Sequence, residues 1–414
     1  MRIEKAGLAP AFLLFSARAT PLAQRNLPAA EPAPPRIAEI AIVFGGPGAD
    51  SAIIRNLRRK TMHSKTDSLQ SSVEALRYPW ENHPGPDQVV EVMPGLLWVR
   101  LKLPFRLNHV NVYLLADGDG WAMVDSGFGN EESIAAWTAL FEGPLAHVKI
   151  TRLIVTHAHP DHVGLAGWVV ERFDCPLYMS QVEYLQSVYH QSRGTEERKM
   201  AQRLFFRRHG MDESLTDKLL GRGQDYLKRV SILPPSYRRI AHGDEISIGT
   251  RRFKVITGGG HALDQVMLYC AADKLFLSAD QVLSKISPNV SVWAVEPDQN
   301  SLGEYLFSLA SLTTTLPYDV MVLPGHGVPF YGLKTRIKQL ADHHEERCRL
   351  IAEACLDVPQ TSKELVPVVF HKHVLDPHQM GFAAGELIAH VNYMLNEGRL
   401  TAAETDGVLR FRTT

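Results

Sequence analysis

The sequence has few cysteines, no long apolar run and no marked excess of either charge. The four cysteines show neither a C-x-x-C pair nor the spacing of a disulfide framework; they are Cys175, Cys270, Cys348 and Cys355. We therefore expect reduced, packed thiols and a cytoplasmic protein. No apolar run approaches the roughly 18 residues of a membrane-spanning helix, so we expect no membrane partner.

The near balance of charge also limits the classes of partner. Lys and Arg number 44 while Asp and Glu number 45, so nothing global indicates binding to nucleic acid or to an acidic membrane surface. The chain also lacks a convincing serine or cysteine nucleophile motif. At 414 residues it is long enough for about two or three domains with a large core.

The segment from Thr156 to His162 concentrates metal-binding side chains. Its candidate ligands are His157, His159, Asp161 and His162. Imidazole and carboxylate groups suit a divalent ion such as Zn²⁺. The apolar run Leu153–Val155 before the segment predicts a buried strand, and Gly164–Val170 after it predicts a helix. The ligands would then lie at the carboxyl end of a strand, where α/β folds place their chemistry.

Three further segments have the same form of a strand followed by a ligand. They are Val255–His261, which ends in a glycine-rich turn and a histidine, Leu275–Asp280, and Val320–Gly327, which holds His326 between two glycines. A single histidine or aspartate at a strand end is more often structural than a ligand. Together and in this order, the segments strongly indicate a metal centre.

The combined pattern of H-x-H-x-D-H, a lone His, an Asp and a lone His spans roughly residues 88–335 and resembles the metallo-β-lactamase superfamily of dinuclear hydrolases. The resemblance implies two divalent metal ions, with Zn²⁺ expected and Mn²⁺ or Fe²⁺ as alternatives. It assigns one metal to His157, His159 and His261. It assigns the second to Asp161, His162 and His326, with Asp280 bridging the two.

Asp125 matches the aspartate that ends an early strand in this family. The resemblance implies that it accepts a hydrogen bond from a ligand imidazole and fixes the tautomer of that ring. The alternative interpretation is an ordinary turn aspartate before Gly127.

The expected chemistry is hydrolysis by a metal-bridging hydroxide. Two divalent ions about 3.5–4 Å apart lower the pKa of a shared water and polarise the scissile carbonyl or phosphoryl group. No side-chain nucleophile is then required, which agrees with the composition. Asp280 and Asp161 are the predicted catalytic residues, the first as the bridge and the second as a group that could take up or pass on a proton.

The aspartate at position 280 indicates the substrate class. Members that resemble true β-lactamases typically carry Cys or Ser there, whereas Asp is typical of glyoxalase-II-like thioesterases, lactonases, nucleases and phosphodiesterases. We therefore predict hydrolysis of a small acyl thioester or lactone, with RNA or phosphodiester cleavage as the alternative, and no β-lactamase activity. Gln265 departs from the family, which often has a second histidine there, so the resemblance transfers substrate identity only weakly.

The predicted fold is an α/β, αββα sandwich with the metals at one edge. Residues 1–75 are expected to be a disordered or spurious extension, with the working start closer to Met62. Residues 88–335 form the metallo-β-lactamase-like domain, in which successive strands are predicted at residues 89–92, 96–101 and 110–115 and a helix from Asn130 to Phe141.

A helical insertion is expected over about residues 181–230. From Gln181 to Arg229 it holds ten Lys or Arg against seven Asp or Glu. One hypothesis is a lid whose Arg203, Arg207 and Arg208 meet an anionic substrate. The alternative is an amphipathic helix with a solvated basic face. His190 and His209 are expected at the surface.

Residues 336–414 are predicted to form a helical linker and a winged-helix-like domain. A helix is expected over Leu333–Leu356, and residues 361–414 predict three helices and a short hairpin. This combination resembles a subgroup of the superfamily with a C-terminal winged helix. Residues 361–414 hold five Lys or Arg against six Asp or Glu, whereas a phosphate-binding face needs a basic excess. We therefore expect a role in packing or homodimerisation rather than nucleic-acid binding.

Overall fold

Two β-sheets packed face to face form the centre of the protein. The computed structural model describes residues 75–192, 196–220, 226, 228–371 and 377–414. The prediction of a disordered or spurious extension concerns residues 1–75, which, apart from Ala75, lie outside the described residues.

The first sheet has seven strands among the described residues, hydrogen-bonded in chain order. They are β1 (Val89–Met93), β2 (Leu96–Lys102), β3 (His109–Asp117), β4 (Gly120–Val124), β5 (Ile150–Ile154), β6 (Leu177–Met179) and β7 (Arg238–Arg239). The first four strands run antiparallel, and the pairs from β4 to β7 are parallel. The predicted strands at residues 89–92, 96–101 and 110–115 are therefore confirmed.

The second sheet has five strands in the described part of the chain, in the order β12-β11-β10-β9-β8. They are β8 (Glu245–Ile248), β9 (Arg251–Gly258), β10 (Gln265–Cys270), β11 (Leu275–Ala279) and β12 (Met321–Pro324). Only the contact of β11 with β12 is parallel. This contact places the carboxyl ends of β11 and β12 side by side.

Alternation along the strands builds the core between the sheets. Trp98 and Tyr113 of the first sheet share a buried cluster with Phe253, Leu268 and Leu277 of the second. Their neighbours along each strand point the other way, because successive side chains of a strand alternate between its faces. Burial of each such side chain contributes about 1.5–3 kcal/mol to the free energy of unfolding.

Helices cover the outer face of each sheet. The first sheet packs against α1 (Glu131–Glu142), α2 (Pro160–Val163) and α3 (Ala166–Phe173). Asn130 caps α1 by accepting a hydrogen bond from the N–H of Ser133, as the predicted helix start requires. The second sheet packs against α7 (Ser301–Thr315) and α8 (Leu333–Ala354). The αββα sandwich is therefore confirmed.

The insertion is helical, as predicted, and consists of α4 (Gln181–Gln191), α5 (Glu196–Arg208) and α6 (Glu213–Leu220). Phe205 and Phe206 of α5 and Leu219 of α6 are buried in the same cluster as side chains of the C-terminal helices. The insertion therefore packs against the C-terminal part of the chain.

The expectation that His209 lies at the surface is wrong, whereas the lid hypothesis for the arginines stays a prediction. Arg203 pairs with Glu213 and Asp217, and Arg208 pairs with Glu404, so two of the three guanidinium groups of that hypothesis have carboxylate partners within this chain. His209 is buried rather than at the surface, and its Nδ1 lies 2.9 Å from Oγ of Ser362. His190 and Arg207 are exposed.

The C-terminal segment contains α9 (Ser362–Val369), α10 (Pro377–Asn396) and a hairpin of β13 (Leu400–Thr405) with β14 (Val408–Thr413). Three helices were predicted from residue 361 onwards, whereas the described part of this segment holds two. The long helix α8 packs against both of them. Among the described helices, none combines the length and the apolar character that a membrane crossing requires.

Candidate metal centre

The carboxyl ends of four strands carry the candidate ligands. The segment Thr156–His162 follows β5, with its last three residues on α2. His261 follows β9, Asp280 directly follows β11, and His326 follows β12. The fold brings all of these residues together at one edge of the sandwich.

Three overlapping groups of candidate ligands have their ligand atoms within 4.8 Å of one another, and the one that consists of His157, His162 and Asp280 joins the other two. The first group consists of ring nitrogens of His157, His159 and His261. The second consists of a carboxylate oxygen of Asp161 and ring nitrogens of His162 and His326. These are the two sets that the sequence resemblance implies.

Asp280 lies between the two groups. Its Oδ2 is 3.5 Å from Nε2 of His261 on one side and 3.1 Å from Nε2 of His326 on the other. Its Oδ1 is 3.5 Å from Nε2 of His162. A single buried carboxylate that faces both groups can offer an oxygen to a cation in each.

Hydrogen bonds behind the rings orient three of the histidines. Nδ1 of His162 lies 2.8 Å from Oδ2 of Asp125, Nδ1 of His326 lies 2.6 Å from the carbonyl oxygen of His109, and Nδ1 of His261 lies 2.7 Å from that of Asn289. Each acceptor requires a proton on Nδ1. Nε2 of each ring is therefore left as the atom that faces the site.

Asp125 also joins the ends of β4 and β5. Its Oδ1 accepts a hydrogen bond from the N–H of Thr156 at 2.8 Å, and its Oδ2 accepts one from Oγ1 of the same residue at 2.9 Å. Oγ1 of Thr156 in turn lies 2.9 Å from Nδ1 of His157. The backbone of Asp125 has a positive φ of 64°, which aspartate tolerates better than most residues. The carboxylate thus supports His162 directly and His157 through a hydroxyl.

The electrostatics of the first group favour neutral imidazoles. Burial lowers the pKa of His157 well below its ordinary value and the pKa of His159 to about 3. Both rings are neutral at pH 7, which is the form that binds metals. Burial opposes ionisation of Asp280, but His326 and His162 outweigh it and hold the pKa of this carboxyl well below its ordinary value.

The second group has a different balance of charge. Burial lowers the pKa of His326, but the carboxylates of Asp280 and Asp161 outweigh burial and raise this pKa to about 10. A cation that binds this ring displaces a proton, so its affinity rises with pH.

Unpaired buried atoms show that this residue set fits metal ions. Nε2 of His162, Nε2 of His261 and Oδ1 of Asp280 are buried and lack a hydrogen-bond partner among the described residues. Buried polar atoms without partners are rare because they cost free energy, and all three face the site. A β-carbon at Gly325 would collide with Oδ1 of Asp280, so the glycine also keeps space for this carboxylate. Nitrogen and oxygen donors suit Zn²⁺, Mn²⁺ and Fe²⁺.

Three supporting residues were not found by sequence reasoning. Glu183, the third residue of α4, accepts hydrogen bonds from the N–H groups of Ala158 (2.8 Å) and Asp264 (2.7 Å), and so ties together two of the ligand loops. Burial raises its pKa to about 7, although both N–H groups oppose the rise. His109 and Asn289 back two of the imidazoles through their carbonyl groups. Because every residue has a backbone carbonyl group, no local motif could have identified His109 and Asn289.

Gln265 occupies the position at which the sequence departs from the family. It is fully buried at the start of β10, and its Nε2 donates a hydrogen bond to Oε1 of Gln281 at 3.2 Å. Nε2 of Gln281 donates to the carbonyl oxygen of Gly259 at 3.1 Å. The glutamine therefore supports the loop that leads to His261.

Comparison with protein families assigns both parts of the chain. Residues 106–326 match the family described as the metallo-beta-lactamase superfamily, and residues 348–414 match the one described as metallo-beta-lactamase-like, C-terminal domain. The first match covers more than half of the chain and includes every candidate ligand.

Individual relatives agree with these family matches. The crystal structure of a beta-lactamase domain protein from Burkholderia ambifaria is 38% identical, with a TM-score of 0.76, over 82% of this chain and 98% of that chain. The probable metallo-hydrolase YqjP of Bacillus subtilis is 22% identical over 335 residues, which are 76% of this chain and 97% of that protein. A hydroxyacylglutathione hydrolase of a Bradyrhizobium species is 25% identical over 176 residues, 41% of this chain and 50% of that protein.

Proposed function

This chain belongs to the metallo-β-lactamase superfamily of metallo-hydrolases, and we propose that it is a dinuclear enzyme that hydrolyses an acyl thioester or lactone. The observation that carries this proposal is the position of Asp280, whose carboxylate faces His261 of one group and His326 of the other. A site for a single ion would not require a buried carboxylate between two complete sets of ligands.

The ligand groups define what each ion would contact. His157, His159 and His261 would hold one ion, Asp161, His162 and His326 would hold the other, and Asp280 would contribute to both. Zn²⁺ is the expected ion, with Mn²⁺ and Fe²⁺ as alternatives. When bound, two such ions would supply an activated water at neutral pH and polarise the substrate oxygen.

Asp161 is the carboxylate of the site that solvent reaches. Its side chain is 20% exposed, whereas that of Asp280 is 7% exposed. Burial opposes its ionisation, but His162 and His326 outweigh burial and hold its pKa below the ordinary value. Asp161 is therefore ionised at neutral pH, which is the form in which it would hold an ion, and we expect it to orient water rather than to store a proton.

Two observations support an acyl substrate over a phosphodiester. A hydroxyacylglutathione hydrolase, named for a thioester substrate, is 25% identical to this chain over 176 residues. Residues 361–414 hold five Lys or Arg against six Asp or Glu, so the C-terminal segment has no basic excess. A phosphate-binding surface requires cationic groups that remain available to the substrate.

The test is thiol release from a panel of acyl-CoA and acyl-glutathione thioesters by metal-loaded protein. We expect turnover by the native chain, none after chelation, and loss in His157→Ala. His147→Ala, which changes an exposed histidine, is the matched control and should retain full activity. The metal content of each sample is measured in parallel, with two ions per chain expected for the native protein.

The same panel defines the contrary outcome. Protein that holds two ions but releases no thiol and opens no lactone would contradict the acyl proposal. Salt-sensitive cleavage of RNA by that sample would then favour phosphodiester chemistry, since phosphate contacts are screened by salt. A single ion per chain in active protein would contradict the dinuclear proposal.

A further inference from the structure

The segment between Asp280 and α7 lies against the metal centre but forms no helix or strand of its own. It comprises residues 281–300, all of which the structure describes. The carbonyl oxygen of Asn289 in this segment lies 2.7 Å from Nδ1 of His261. The orientation of His261 therefore depends on a loop that needs support from elsewhere in the fold.

Helix α10 of the C-terminal segment provides that support at successive points. Nδ2 of Asn289 donates a hydrogen bond to Oε2 of Glu386 at 3.3 Å, and the N–H of Val292 donates to the carbonyl oxygen of Gly385 at 3.1 Å. Further along, Nδ2 of Asn392 donates to the carbonyl oxygens of Pro297 (3.0 Å) and Gln299 (3.1 Å). One face of α10 thus holds the loop from Asn289 to Gln299.

Gly385 permits the close approach of helix and loop. A β-carbon at this position would lie 2.9 Å from Oγ of Ser291 and 3.0 Å from its Cβ, so the Ser291 side chain would have to shift. Glycine inside a helix lowers helix stability relative to alanine. Its presence in α10 is explained by the contact with Ser291.

Glu386, which accepts the hydrogen bond from the Asn289 side chain, is itself held in place by neighbouring residues. Glu386 is 7% exposed and forms an ion pair with Arg347 of α8, whose guanidinium lies 4.8 Å from the ring centre of Phe370. Oδ1 of Asn289 accepts a hydrogen bond from Oγ of Ser291 at 2.6 Å, so both ends of the Asn289 amide are engaged. Burying a carboxylate is costly unless its partners are well placed. A helix-packing role alone would not require the second hydrogen bond, to Asn289.

We propose that Glu386 is a positioning residue for the metal centre, which acts on His261 through Asn289. By holding the Asn289 side chain, it directs the carbonyl of the same residue at Nδ1 of His261, and Nε2 then faces the site. The inference rests on the proposed function, because it takes His261 as a metal ligand. The C-terminal segment then helps to orient a ligand of the metal centre. Residues that orient ligand imidazoles typically change metal affinity about 10- to 100-fold when they are replaced.

The test is titration of the metal-free full chain with Co²⁺ against a competing chelator, with the visible absorption of Co²⁺ as a second readout. The variants are Asn289→Ala, Glu386→Gln and the double variant. We expect Asn289→Ala to weaken one of two Co²⁺ sites by about 10- to 100-fold and to change its spectrum, with the other site unchanged. Glu386→Gln should shift the same site in the same direction.

The double variant separates a relay from independent effects. If Glu386 acts through Asn289, the double variant should lose no more affinity than Asn289→Ala alone, whereas independent effects would add. The matched control is Glu345→Gln. Glu345 lies on the same helix as Arg347, is exposed and pairs with Arg399, so its replacement should leave both Co²⁺ affinities unchanged. Circular dichroism verifies that each variant is folded. If Glu386→Gln fails to fold, Asn289→Ala still tests the inference, because it leaves the Glu386–Arg347 pair in place.

Unchanged Co²⁺ affinities and spectra in Asn289→Ala would overturn the inference, as would additive losses in the double variant. These outcomes are distinct from failure of the proposed function. Native protein that binds two Co²⁺ ions but hydrolyses no acyl substrate would contradict the proposed reaction and leave the positioning role of Glu386 standing.

Discussion

Oδ2 of Asp125 lies 2.8 Å from Nδ1 of His162, and both side chains are buried. Asp125 directly follows β4 of the first sheet, and His162 lies beyond the end of β5, the neighbouring strand. Because the carboxylate only accepts hydrogen bonds, it fixes the proton of His162 on Nδ1 and leaves Nε2 for the site. This hydrogen bond predicts the effect of replacing the accepting carboxylate of Asp125 by an amide, which donates.

Replacement of Asp125 by asparagine should weaken metal binding by about 10- to 100-fold. Asparagine tolerates the positive φ at this position and still offers one oxygen, to the N–H of Thr156. Its amide N–H₂ would face Nδ1 of His162 and favour the opposite tautomer. The loss is measured by competition with a chelator, and affinity equal to that of the native chain would contradict the role of Asp125.

Replacement of Gly325 by alanine should remove metal binding while the rest of the fold is retained. The added β-carbon would collide with Oδ1 of Asp280 and lie 2.9 Å from Cε1 of His162, so the bridging carboxylate would have to move. The measurement is metal content after dialysis, together with circular dichroism. Gly85→Ala is the control, because its β-carbon would meet only the flexible side chain of Gln88. Two ions retained by Gly325→Ala would show that Asp280 does not need its observed position.

The sequence predicted that the candidate ligands meet at one edge of the sheets, because each one follows a short apolar strand. Such a strand is a local pattern, and parallel strands present their carboxyl ends at one edge of a sheet. The supporting contacts have no local pattern. His261 meets Asn289 28 positions away, and the N–H of Gly327 meets Nε2 of His109 218 positions away. These contacts are decided by the packing of loops on sheets, which no single segment encodes.

The basic insertion shows the same limit for surface charge. Arg203 and its partners on the next helix are separated by 10 and 14 residues, and Arg208 and Glu404 by 196 residues. A count of charges includes the arginines but does not show which carboxylates form ion pairs with them. The burial of His209 against Ser362 was missed for the same reason, since the two lie 153 positions apart.

Replacement of Arg203 by glutamine should leave hydrolysis unchanged. The arginine is already paired with Glu213 and Asp217, and its side chain is 35% exposed, so we expect the free energy of unfolding to fall by at most about 1 kcal/mol. Steady-state kinetics with an anionic acyl-CoA checks the prediction, with Glu213→Gln as the matched variant of the same pair. A salt-dependent rise in KM in Arg203→Gln alone would contradict this prediction and favour the hypothesis of a basic lid over the substrate.

Replacement of His390 by glutamine should make stability less sensitive to acid. His390 is fully buried, with Nδ1 2.7 Å from the carbonyl oxygen of Glu386 and Nε2 3.1 Å from Nδ1 of His344. Burial lowers its pKa to about 3, whereas a histidine in the unfolded chain has a pKa near 6.5. Between these values only the unfolded chain binds the proton. The stability that neutral His390 contributes is therefore complete above about pH 6.5 and is lost as the pH falls toward 3.

Below about pH 6.5 we expect the free energy of unfolding to fall less steeply in His390→Gln than in the native chain. The difference in slope should be about 1.4 kcal/mol per pH unit. At pH 7 the variant should be less stable than the native chain, because it loses a buried hydrogen-bonded ring, and the gap should narrow as the pH falls. Urea unfolding of metal-free protein at several pH values measures this difference, with His147→Gln as the control for loss of an exposed histidine. Parallel pH curves for the native chain and His390→Gln would mean that His390 takes up its proton equally in the folded and unfolded states.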